Sequence, residues 1–222
     1  MRILLGLLAL LSLSAAKPVD WTKTVTRTAE GSYVIGNPAA KLRLLEFMSY
    51  TCPHCAHFTA EATPTLMRDY IKRGTVAFEI RNAVRDSLDL AAALATRCGG
   101  PGRFPGNHEA VFAAQASLFE GASKFDPEPT SSDPVAGMKA LSRASGLTDL
   151  MAKRGLAPAA LDACYASKVA QAPVLAMTKD AWNIRKITGT PAFFVNGKLV
   201  ESTEWAGLEP QLRAALNLKP KG

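Results

Sequence analysis

The apolar positions change spacing several times along the chain. Over residues 41–49 they are nearly continuous. Leu42, Leu44, Leu45, Phe47 and Met48 read as a strand covered on both faces. From residue 52 to about Arg73 the spacing becomes four, with Phe58, Ala62 and Leu66 in line and Met67, Tyr70 and Ile71 beside them. That period predicts a helix, kinked by Pro64 and stopped near Gly74. Residues 76–84 return to strand character, with Val76, Phe78, Ile80 and Asn82 on one side. Upstream, residues 17–36 read as an N-terminal arm, and the β-branched stretch 22–28 adds a strand to it.

Residues 86–186 are rich in Ala and Leu at helical spacing, broken by Gly and Pro. Asp86 is a natural N-cap, with Leu90, Leu94 and Cys98 on one stripe and Gly99-Gly100 as the stop. Further helices are expected over 108–119, 133–145, 157–165 and 167–186, with a proline-rich loop over 125–134. Strand character returns at Ala192-Phe193-Phe194-Val195. Asn196-Gly197 supplies a two-residue hairpin turn into Lys198-Leu199-Val200, and a closing helix covers about 208–216. The order predicts an α/β unit interrupted by an all-helical insertion: residues 17–85 and 178–222 form the α/β part, and 86–177 the insertion.

The N-terminus has a separate character. Arg2, an apolar run over 3–13, and the small residues Ser14-Ala15-Ala16 read as a cleaved export signal over residues 1–16. The run is shorter than the roughly 20 residues a spanning helix needs. Export implies an oxidising, periplasmic setting in which disulfides persist. The net charge of +7 becomes +6 once Arg2 is removed, and the basic residues are scattered without interleaved aromatics. That describes a solvated surface and gives nucleic-acid binding no support.

A chain of 222 residues can bury a core without disulfides, so its four cysteines call for a chemical reading. Cys52-Pro53-His54-Cys55 stands between a strand and a helix. Pro53 takes the first helical position, where its missing N–H costs nothing. Cys52 is thereby placed at a helix N-terminus, where unpaired N–H groups and the helix dipole favour an anion, and the thiolate is the nucleophile. A protonated His54 adds positive charge. Cys55, one turn in and more buried, suits the resolving role. The alternatives are a structural Cys52–Cys55 disulfide, whose ring is too short to constrain the unfolded chain, and a zinc site with His57, which lacks a second ligand pair. His57 and His108 read as helix-surface residues. Cys98 and Cys164, the two cysteines left over, are expected to pair in an oxidising compartment. Buried free thiols or a second redox pair are the alternatives.

Leu45-Glu46-Phe47-Met48-Ser49-Tyr50-Thr51 with the following Cys-Pro-His-Cys resembles the active-site segment of the DsbA-type oxidases of the thioredoxin superfamily. Gly189-Thr190-Pro191-Ala192-Phe193-Phe194-Val195-Asn196-Gly197 resembles their cis-proline loop and hairpin. The resemblance runs from about Lys41 to Leu216. It implies a thioredoxin fold interrupted by a helical domain, and a redox-active Cys52–Cys55 pair needing no cofactor or metal. It also implies a cis bond at Thr190–Pro191 beside the dithiol, offering backbone to an extended substrate. Glu46, a lone acid in an apolar strand, matches a family acid that takes the Cys55 proton. The competing reading is a strand-end carboxylate reaching solvent or a lysine. Thr190 stands where the family's best-known oxidase has Val, and looks more like the isomerase and reductase branches.

The expected function is oxidation of reduced or unfolded exported proteins. A membrane quinone-linked oxidase as reoxidising partner is implied by the resemblance. Only about 35 residues would precede Cys52 after cleavage, too few for the dimerisation domain of the dimeric isomerases, so a monomer is expected. A reductase or isomerase of the same fold is one alternative, and a redox-independent peptide-binding chaperone is another.

Overall fold

A computed structural model describes residues 19–126 and 133–219. The export-signal reading over 1–16 and part of the proline-rich loop lie outside the described residues.

The strands are β1 (Val25–Arg27), β2 (Tyr33–Gly36), β3 (Leu42–Met48), β4 (Val76–Asn82), β5 (Ala192–Val195) and β6 (Lys198–Val200). They form one sheet in the order β1-β2-β4-β3-β5-β6. β3 and β4 are parallel and therefore need a crossover, which α1 (Pro53–Thr65) supplies. The other pairings are antiparallel. The β5–β6 hairpin turns through Asn196 and Gly197, both at positive φ, as its Asn-Gly turn requires.

Side chains alternate along a strand, so β3 feeds two cores. Leu42, Leu44 and Met48 join Cys55, Phe58, Ala62 and Leu66 of the α1 side. Leu45 and Phe47 pack on the opposite face with Ala181, Ile187 and Phe194. Each fully buried Leu, Ile, Met or Phe side chain among them contributes about 1.5–3 kcal/mol.

Between β4 and β5 run α2 (Ser87–Arg97), α3 (Phe104–Ala113), α4 (Gln115–Ser123), α5 (Pro134–Ala144), α6 (Leu147–Lys153), α7 (Pro158–Ala166) and α8 (Lys168–Lys179). Asp86, Asp133 and Ser167 cap α2, α5 and α8 through their side chains, each satisfying an N–H left unpaired by helix geometry. α2 is the hub: Leu88 and Ala91 through Ala95 are all buried, and small side chains let neighbouring helices approach closely. A closing helix, α9 (Trp205–Ala215), packs beside α1. No helix among the described residues is long and apolar enough to cross a membrane.

Several elements differ from expectation. The arm opens with a 3-10 turn (Trp21–Lys23), leaving only Val25–Arg27 of the expected strand. It also holds β2, whose four buried residues show no alternation to read. The helix at Pro64 continues and then widens into a π turn over Leu66–Ile71, a common response to an interrupted hydrogen-bond ladder. The helix expected over 108–119 is two, broken at Ala114, and α6 was not foreseen. The helix expected over 167–186 ends in a π turn, Asp180–Ile184.

Cys98, at the end of α2, is disulfide-bonded to Cys164 of α7 across 66 residues. Closing a loop of this length stabilises the fold by up to about 4 kcal/mol in the chain-entropy account. Cys98→Ala/Cys164→Ala is therefore expected to lower the urea midpoint substantially while leaving far-UV circular dichroism unchanged. An unchanged midpoint would show that the bond contributes nothing to stability.

Candidate active site

Strand β3 ends at Met48, and the chain turns through Ser49-Tyr50-Thr51 into Cys52, the N-cap of α1, with Pro53 in the first helical turn. The register Phe47↔Ala192 carries the segment before β5 alongside this turn. Thr190–Pro191 is a cis peptide bond, and the Thr190 carbonyl oxygen lies 3.0 Å from Cys52 Sγ. Cys52, Pro53, His54, Cys55, Thr190 and Pro191 thus share one end of the sheet.

The two sulfurs are free thiols in opposite electrostatic settings. Cys52, 3% exposed, is held at a pKa of about 5. The hydrogen bond from the Cys55 thiol is the largest cause, opposed by burial and aided by the Thr190 hydroxyl and the backbone N–H groups of Cys55 and His54. These N–H groups act on the sulfur although neither closes a full capping hydrogen bond. His54 itself is exposed, and what it supplies to the sulfur is its backbone N–H. Cys55, 0% exposed, is pushed far up by burial, reinforced by its bond to Cys52 and by the Glu46 and Cys52 charges. One sulfur is set up as a thiolate and the other as a thiol.

Glu46 lies in line with Leu42, Leu44 and Met48 and so faces α1. It is 1% exposed and its Oε1 has no hydrogen-bond partner. This corrects the reading of a strand-end carboxylate at solvent or a lysine. Burial first, and the Cys52 charge second, raise its pKa to about 8. At neutral pH it is a protonated acid within electrostatic reach of both sulfurs.

The turn before Cys52 is held from the helical block by residues to which sequence reading gave no part in the site. Asp89 of α2 accepts from the Tyr50 N–H at 2.7 Å and the Arg85 N–H at 3.0 Å. Asp86 accepts from the Thr51 hydroxyl at 2.6 Å. Gln115 of α4 donates to the carbonyls of Tyr50 at 2.8 Å and Cys52 at 3.1 Å. Burial raises the Asp89 pKa to about 7. His108 is not a surface residue: it is buried, its Nδ1 lies 3.0 Å from the Tyr50 hydroxyl, and burial lowers its pKa to about 3. Only the Asp86-x-x-Asp89 spacing at a helix start carried a signal, that of a cap. His57 is exposed and within 3.5 Å of Glu61. The Cys98–Cys164 bond belongs to the helical block. Among the described residues no group of His, Cys, Asp and Glu is placed to hold a metal ion.

The thioredoxin family model matches residues 28–214. A protein-disulfide isomerase structure from Novosphingobium aromaticivorans is 37% identical, with a TM-score of 0.77, covering 83% of this chain and 96% of that one. Wolbachia pipientis α-DsbA1 shares the fold at 21% identity, with a TM-score of 0.65 over 86% of this chain and 94% of that one. A protein of Rickettsia prowazekii named as a protein-disulfide oxidoreductase is 26% identical over 90% of this chain and 67% of its own length. The chain spans only 58% and 60% of the related proteins of Rickettsia felis and Rickettsia typhi. With the family model matching most of its length, the chain belongs to the thioredoxin family, and it shares the fold of α-DsbA1.

Proposed function

We propose that the chain is an exported dithiol oxidase that introduces disulfide bonds into reduced proteins of the periplasm. The observation that carries this reading is the contrast between Cys52 at a pKa of about 5 and its buried partner Cys55. A substrate thiolate attacks Cys52 Sγ of the oxidised pair. The Cys52–Cys55 bond breaks, and Cys55 leaves with the electron pair and takes a proton. A second substrate thiolate attacks the substrate sulfur of the mixed disulfide, and Cys52 departs as a stabilised thiolate. Low leaving-group pKa speeds that departure. The substrate loses two electrons and the protein gains them, to be passed to a membrane quinone-linked oxidase. Thr190 and Pro191 line the approach and present backbone to an extended substrate.

The rival reading, an isomerase, is favoured by the name of the 37% identical neighbour. Equilibration with glutathione redox buffers separates the two. The oxidase reading expects the Cys52–Cys55 pair to be reduced by a buffer in which oxidised glutathione is still plentiful. A pair that stays oxidised there defeats it.

In this scheme Glu46 supplies the proton that Cys55 needs. Glu46→Gln is expected to slow formation of the mixed disulfide, the step in which Cys55 leaves, by ~10- to 100-fold in a single turnover, within the range of positioned acid–base groups. The same change is expected to raise stability at alkaline pH. The folded pKa of Glu46 is raised above its unfolded value, so its favourable contribution is complete below about 4.5 and lost as pH rises through about 8. The denaturation midpoint of Glu46→Gln should therefore exceed that of the parent increasingly over that window. Equal midpoints at pH 9 would show that the carboxyl is not destabilised by burial.

A further inference from the structure

Arg97 closes α2 next to Cys98. Its Cζ lies 4.5 Å from the Tyr33 ring centroid, and one amino group donates to the Gly31 carbonyl. Its Nη1 is buried with no hydrogen-bond partner. Arg27 of β1 pairs across the sheet with Tyr33, and its Nη2 lies 3.5 Å from where a Cβ on Gly31 would stand. Two guanidinium groups thus converge on one glycine, which is at φ +88° and leaves 2.5 Å between such a Cβ and Pro173. No other residue fits there.

Both arginines line a cavity of about 210 Å³ together with Cys98, Cys164 and Ser167, roughly seven liquid-water volumes. No acidic side chain lines it. Neither arginine forms an ion pair with a carboxylate among the described residues. Arg97 is half-buried and Arg27 is exposed; two positive charges side by side favour an anion between them, and arginine forks match carboxylates in geometry. A disulfide lines the same cavity.

We propose that this cavity binds the carboxylate of a small anionic thiol and brings its sulfur to the Cys98–Cys164 disulfide. The thiolate attacks one sulfur of that bond, forming a mixed disulfide. The other cysteine leaves with the electron pair as a thiolate that the two arginines stabilise until it takes a proton from water. A second molecule of the thiol attacks the mixed disulfide. Two thiols become one small disulfide, and Cys98 and Cys164 end as thiols. The step does not depend on the role proposed for Cys52.

The test uses the full chain carrying Cys52→Ser and Cys55→Ser, in which Cys98–Cys164 is the remaining disulfide. Its reduction rate is measured with glutathione, an anionic thiol, and with 2-mercaptoethanol, a neutral one. Arg27 is exposed on an edge strand, so Arg27→Gln should fold. It is expected to slow glutathione about 5-fold, the upper scale of one exposed ion pair, and to leave 2-mercaptoethanol within about 2-fold. Arg27→Lys should retain most of the glutathione rate, and S-methylglutathione should inhibit glutathione in the parent. Lys198→Gln removes the same charge from an exposed position on β6 and should leave both rates unchanged. Equal slowing of both thiols by Arg27→Gln, no slowing at all, or an equal effect of Lys198→Gln would overturn the proposal.

Discussion

Oxidation of a reduced, unfolded test protein by the Cys52→Ala variant is expected to fall to the uncatalysed rate. Cys52 is the sulfur whose thiolate the site stabilises, and Cys55 is fully buried with its thiol pushed far up. With Cys52 gone, no accessible nucleophile or electrophile remains at the helix start. Cys55→Ala should behave differently: Cys52 remains as a nucleophile, although it loses the Cys55 hydrogen bond that does most to lower its pKa. Offered a disulfide-bonded substrate, that variant should accumulate mixed disulfides, its Cys52 thiolate displacing one substrate sulfur as a thiolate, visible on non-reducing gels, while failing to turn over. The thiolate absorbance of the parent should titrate with a midpoint near about 5 and disappear in Cys52→Ala. A midpoint near 8.5, the ordinary value of a free cysteine, or residual activity in Cys52→Ala, would defeat the mechanism.

The reduced protein is expected to unfold at higher denaturant than the oxidised protein at pH 7. The folded pKa of Cys52, about 5, is depressed below the value near 8.5 of an unfolded thiol. A depressed group contributes stability that is complete above the unfolded pKa and lost as pH falls through the folded one. The window therefore runs from about 8.5 down to about 5. At pH 7 the contribution to the reduced form is up to about 2–3 kcal/mol, at 1.36 kcal/mol per unit. The disulfide form has no such thiolate, and its short ring returns little chain entropy. The Cys52 charge also raises the Glu46 pKa, which takes back part of the gain. Denaturation curves of both redox forms at pH 7 and pH 5 measure the difference, which should shrink at the lower pH. A more stable oxidised form at pH 7 would indicate a reductant and exclude the oxidase reading.

The sheet and the dithiol were legible because their signals are local. The apolar run over β3, the change to helical spacing after Cys52, the Asn-Gly turn and the strand before it each span fewer than about ten residues. The helix boundaries in the insertion were less legible. Ala114 breaks α3 from α4 with no Gly or Pro to announce it, and the break turns Gln115 inward to the carbonyls of Tyr50 and Cys52. Nothing near residue 115 names residues 63 and 65 positions earlier as its partners. His108 was misread for the same reason: its burial is decided by Tyr50 and Phe112, which spacing alone places only in part. Glu46 was legible as an anomaly, an acid amid apolar neighbours. Whether it reached solvent depended on what α1 laid over it.

The hold that α2 and α4 exert on the turn before Cys52 has a consequence for inheritance. Asp86, Asp89 and Gln115 are encoded in the helical insertion, while the nucleophile they position is encoded before it. Exchanging the insertion between relatives would move part of the machinery that sets the thiolate, even with every residue of the Cys-Pro-His-Cys motif left in place. The two exposed positions of the motif, Pro53 and His54, lie by contrast outside the insertion. Redox character in such a chain therefore has two separate handles: the solvent-facing dipeptide, and the hydrogen bonds that insertion and sheet share.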